Sequence, residues 1–201
     1  MMKLRVRANG RRQRGQSLVE FALIVPVLAV MLSAILEFGL AFDADLSLEA
    51  ASREGARIGA SLGNDGTQGI CPNALSEATV DPAIINAIKA SLTSAGVTLS
   101  SVKISIFNAD ANGAPVILSG VTQINKYKWD TPSSSFVVDG THAWNSCGRH
   151  DGTFGGGSYD DVGVQVDYTY TSKTGLLSFM TSGLHMTART VMPIGPPWKL
   201  Q

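Results

Sequence analysis

The chain has 201 residues, 44% of them hydrophobic, with 16 basic and 16 acidic side chains, which is enough for one membrane helix and one modest domain. The formal neutrality hides an asymmetry: Lys3, Arg5, Arg7, Arg11, Arg12 and Arg14 precede Gly15 with no acid among them. The remainder carries 10 basic against 16 acidic residues, a net of −6, which argues against a nucleic-acid-binding surface.

The basic cluster leads into an apolar run over residues 18–36, interrupted by Glu20 and Pro26. At about 1.5 Å per residue these 19 positions span roughly 28 Å, the thickness of a bilayer's hydrocarbon core. A secretory signal core is shorter, about 7–15 residues. The run therefore reads as a transmembrane helix with its basic flank held in the cytoplasm. Glu20 lies near the start of this helix, where a carboxylate needs a partner or an interfacial position. One local reading is a capping box, in which Ser17 and Glu20 satisfy each other's backbone amides at a helix start.

Helix formers continue past the apolar run, and no proline follows Pro26 until Pro72. Glu49 precedes Arg53 by four residues and Glu54 precedes Arg57 by three, both favourable helical spacings. The spacing predicts one helix over residues 16–62, roughly 70 Å long, half in lipid and half outside, with Pro26 a potential kink. Ala51, Gly55, Gly59 and Gly63 recur every four residues, a stripe of small side chains that lets another element approach closely. The first candidate for that contact is the protein's own domain, and the second is a neighbouring subunit.

A glycine-rich turn over residues 63–73 ends the helix. Asp81 and Pro82 are placed to cap and open a second helix reaching about Ala95, with Ile84, Ile85, Ile88 and Leu92 on its apolar face and Gly96 as its stop. Strands follow over residues 102–107 and 162–171, where apolar residues alternate. Residues 116–124 and 136–138 are weaker strand candidates, and a last strand covers about 184–192 after a short apolar segment at 176–180. The fold class is α+β: a long N-terminal transmembrane-plus-periplasmic helix packed on a small antiparallel sheet. The chain divides into a basic leader (1–15), the long helix (16–62) and a periplasmic or extracellular domain (63–201).

The loop over residues 139–158 contains His142, Cys147, His150 and Asp151, but in no tight zinc spacing, so no metal site is expected. If the C-terminal part is exported, Cys71 and Cys147 form one disulfide. The chain has no G-x-S-x-G, phosphate loop, dinucleotide fingerprint or H-E-x-x-H, and its three histidines support no triad, so neither enzymatic activity nor a cofactor is expected.

Residues 12–28, RQRGQSLVEFALIVPVL, followed by ILEFGLAF and AASREGARIGA, resemble the TadE-like family of pilus-assembly proteins, pilin-like components of the bacterial Tad (Flp, type IVb) pilus machinery. The resemblance covers roughly residues 11–62. It implies that a prepilin peptidase cuts between Gly15 and Gln16, after the glycine that precedes x-x-x-x-E-[FY], with Glu20 and Phe21 completing the pattern. It further implies a minor structural component, anchored once in the inner membrane, whose helix packs with other pilins or Tad components as a homo- or hetero-oligomer. Glu20 would then neutralise the new α-ammonium group of a neighbouring copy. Two alternatives compete: an uncleaved signal-anchored envelope or binding protein, and a secreted enzyme cut after Ala41.

Overall fold

The computed structural model describes residues 12–62, 77–146, 149, 159–173, 175 and 183–195. Gly63, Cys71, Cys147, His150 and Asp151 lie outside the described residues, as do most of the basic leader and the apolar segment at 176–180. Two helices, α1 (Arg12–Leu62) and α2 (Glu77–Ser94), cover one face of a five-stranded sheet. The strands are β1 (Val102–Ala109), β4 (Ile124–Asp130), β5 (Ser135–His142), β6 (Asp161–Tyr170) and β7 (Leu184–Pro193), in the order β5-β4-β1-β6-β7 with every neighbouring pair antiparallel. A two-stranded hairpin, β2 (Ile117–Leu118) and β3 (Val121–Thr122), stands apart from this sheet. This is the expected α+β arrangement of a long helix on an antiparallel sheet.

α1 is continuous through Pro26, and at about 1.5 Å per residue its 51 residues reach roughly 76 Å. The helix changes character at Glu37. Nearly every residue from 15 to 36 is exposed, whereas Glu37, Ala41, Ala44, Leu48, Ala51, Gly55 and Gly59 form a buried row at spacings of three and four. That period keeps one face on the domain. The small side chains permit close approach: a Cβ added at Gly55 would sit 2.8 Å from Ile88 Cδ1, and one added at Gly59 would sit 3.0 Å from Ile84 Cδ1. Val80, Ile84, Ile88 and Leu92 of α2 fill the space opposite. Beneath both helices lie Val102, Ile104 and Ile106 of β1 with Val162, Val164 and Val166 of β6. Gly96, at φ +70°, ends α2 in a Schellman arrangement, with Val97 N–H bonded to Leu92 C=O and Gly96 N–H to Thr93 C=O.

Four local expectations need correction. α2 begins at Glu77, so Asp81 is not its cap; its carboxylate is buried and satisfied by side chains from across the sheet. Ser17 lies inside α1, which already runs from Arg12, so no capping box forms at Ser17 and Glu20. Residues 116–124 do not make one strand: Ser119 (φ 51°) and Gly120 (φ 80°) fold them into the β2–β3 hairpin, positive φ at both central positions being the type I′ requirement. β4 and most of β5 escaped the apolar-alternation criterion, because Lys126 and Lys128 occupy one face of β4 and polar Asn125 the other.

Candidate assembly segment and its coupling to the domain

The residues expected at the processing point lie on the bare end of α1. Gly15, Gln16, Glu20 and Phe21 are all exposed, Phe21 by 68% of its surface. Gln16 and Glu20 are one helical turn apart, and Gln16 Nε2 donates a hydrogen bond to Glu20 Oε1 at 3.1 Å. The position that would carry a new amino terminus is therefore already within a side chain's length of the carboxylate. Above it, Leu23, Ile24, Val27, Leu28, Met31, Leu32 and Ile35 are open to the surroundings. This is the one helix among the described residues long and apolar enough to cross a membrane, and its most apolar stretch has no burial against the protein itself.

Residues 15–57 match the family model for TadE-like proteins. The TadE-like segment thus runs from Gly15 through the bare half of α1 and into the part that packs on the sheet, stopping before Gly59. The match covers the candidate membrane-spanning part of α1 and the start of its packed half, and none of the sheet. No curated protein and no solved structure matches the chain.

Within the TadE-like segment, Glu37 is the residue that joins anchor to domain. It is fully buried, where a carboxylate without partners would be costly. Tyr170 Oη, at the end of β6, donates to Glu37 Oε1 at 2.8 Å, and the backbone N–H of Lys173 donates to the same oxygen at 2.9 Å. Burial, then the hydrogen bond and negative charge of Glu37, push the Tyr170 phenol up to about 12. Sequence reasoning missed this role because Glu37 ends the apolar run and looks like a membrane-boundary charge. The available signal was the period: stepping back from Leu48 through Ala44 and Ala41 lands on Glu37.

A second polar cluster sits at the far end of the domain. Arg149 Nη2 meets Asp81 Oδ1 at 2.5 Å, with both side chains almost wholly buried. Asp81 Oδ2 accepts from Asn125 Nδ2 at 2.7 Å and from Tyr127 Oη at 2.8 Å, and the Arg149 guanidinium lies 4.1 Å from the centre of the Trp144 ring. His142 reaches the same Tyr127 hydroxyl at 3.1 Å. This network holds the loop after β5 against α2.

The stripe of small residues faces inward. Ala51 is fully buried, and Gly55 and Gly59 point at α2 and β6. By contrast Gly39 has no atom within 4 Å of an added Cβ.

Proposed function

We propose that this chain is a pilin-like minor component of a Tad (type IVb) pilus, processed by a prepilin peptidase between Gly15 and Gln16 and assembled through α1. The basic leader keeps the N-terminus cytoplasmic while residues from Glu37 onward fold on the periplasmic side of the inner membrane. Processing leaves Gln16 with an α-ammonium group in or near lipid, and Glu20 of a neighbouring copy neutralises it. The role is structural rather than catalytic, with other pilins or Tad components as partners.

The observation that carries this reading is the division of one helix: a TadE-like anchor whose apolar half touches nothing in its own domain, continuous with a half that is the domain's core. An unpartnered apolar helix needs lipid or other helices around it. A product cut after Ala41 would lose Glu37 and leave the Tyr170 hydroxyl and Lys173 N–H without their acceptor, which weighs against the secreted alternative.

The test is the mature N-terminus in native membranes, read by intact mass with and without the peptidase. The expected product starts at Gln16 only when the peptidase is present. A product starting at Met1 in both strains would instead support an uncleaved anchored protein. Glu20→Ala is expected to be cleaved normally but excluded from the assembled complex, and normal incorporation would remove Glu20 from the mechanism.

A further inference from the structure

The sheet face opposite the helices carries an open groove of about 500 Å³, lined by β1, β4, β5, β6 and β7, within the usual range of roughly 300–1,000 Å³ for ligand sites. Its charge is unusual for a sheet surface. Lys103 on β1 stands directly opposite Lys128 on β4, and Lys126 follows two residues along on the same face. Like charges in directly opposed positions destabilise an antiparallel pair, and here Asp167 of β6, opposite Lys103 on its other side, offsets that repulsion. Lys128 is neutralised by Asp139 of β5 at 3.0 Å. Neither Lys103 nor Lys126, both of which line the groove, makes an ion pair or hydrogen bond among the described residues. The hydrogen bond and charge of Lys128, with the charges of Lys103 and Lys126, hold the Asp139 carboxyl below its ordinary value, so a positive field is present there.

The rest of the lining is fixed in place. Arg189 is tied to Gln165 and to the Gly113 carbonyl and lies over the Phe107 ring, while Asp167 accepts from Gln165 and Thr187. Two uncommitted ammonium groups thus project beside carboxylates, an amide and hydroxyls that are already oriented. We propose that this groove binds a carboxylated saccharide, with Lys103 and Lys126 holding the sugar carboxylate and Asp139 and Asp167 accepting sugar hydroxyls. A polyphosphate presents no hydroxyls for the two aspartates to accept. An extended acidic peptide would find no free backbone, because the groove lies over the face of the sheet and the strands beneath it are paired on both sides except at β5 and β7. The site is on the opposite side of the sheet from α1, so it does not depend on how the anchor is processed or assembled.

The experiment is calorimetric titration of the detergent-solubilised full chain with trigalacturonic acid, alongside neutral maltotriose and hexaglutamate. Trigalacturonic acid is expected to bind, with affinity falling about ten-fold or more in the double variant Lys103→Gln/Lys126→Gln and falling again as salt rises from about 0.05 to 0.5 M. Maltotriose and hexaglutamate are expected to give no binding. The double variant should melt near the parent temperature, since Lys103 loses repulsion from Lys128 and attraction to Asp167 together. Thr141→Trp, at the exposed rim, narrows the groove while leaving both lysines in the chain and should also abolish binding. Absence of binding at millimolar trigalacturonic acid, equal binding by the double variant or by Thr141→Trp, or equal binding of hexaglutamate would each overturn the proposal.

Discussion

The Tyr170 hydroxyl and the Glu37 carboxylate, 133 residues apart, are joined at 2.8 Å where the membrane helix enters the folded domain. The pair has a pH signature. The Tyr170 pKa is raised from 10.0 to about 12 in the folded chain, first by burial and then by Glu37. A group raised in this way contributes stability that is fully present below its unfolded value and is lost as pH climbs through its folded one. Unfolding monitored by circular dichroism is therefore expected to become easier between pH 10 and about 12. Tyr170→Phe should lack that part of the decline and should already be less stable at neutral pH by about 1–3 kcal/mol, because Glu37 loses a donor while staying buried.

Asp81 and Arg149 make the opposite kind of test, since both ends are charged and buried. Breaking such a pair from one side leaves an uncompensated charge, at a cost of about 3–5 kcal/mol. Asp81→Leu and Arg149→Met are each expected to fall in that range by urea unfolding. The double variant should be less damaged than the sum, and a fully additive result would mean the two charges do not stabilise each other.

Gly39, Gly55 and Gly59, three of the four glycines on α1, should separate internal packing from contact with other helices. Gly55→Ala gains helix propensity of about 1 kcal/mol but drives a methyl against Ile88, and overpacking of that kind costs about 1–3 kcal/mol. A net loss of stability is expected, partly restored by Ile88→Val in the same chain. Gly59→Ala should behave alike against Ile84. Gly39→Ala meets nothing and should stabilise the isolated protein in detergent. If neighbouring helices pack there, the same variant will be depleted from the assembled complex.

The cysteines give a direct mass test. Cys71 and Cys147 would close a loop of about 77 residues, for which the chain-entropy relation gives about 4 kcal/mol. Protein from native membranes is expected to gain two hydrogens on reduction, and Cys71→Ser and Cys147→Ser should lose similar stability. Two free thiols in the unreduced protein would refute the pairing.

Much of the architecture was legible because it rests on periodicity. The four-residue stripe of Ala51, Gly55 and Gly59 and the alternation of Val102, Ile104, Ile106 and of Val162, Val164, Val166 state which faces are buried. The TadE-like resemblance was legible because Gly15, Glu20 and the apolar run are contiguous. The remainder was hidden wherever the fold buries a polar group. Asn125 and Asp81 read as surface or cap residues, yet each is buried because its partner arrives from a distant segment. Lys126 and Lys128 hid β4 for a related reason: one face of that strand looks into the polar groove or solvent, so it carries no apolar alternation. Ser119-Gly120 is a recognisable turn pair, and its splitting of residues 116–124 was available from turn chemistry alone.

The passage of α1 from a bare half to a core half without a break has a mechanical consequence. Between anchor and domain there is no slack segment to stretch. A pull along the anchor loads the contact between helix and sheet in shear, and Glu37 with Tyr170 is the first bond to bear it. Displacement of the apolar half of α1 would reach the sheet as a rigid movement, so the outer groove and the far-end cluster would travel and turn with it.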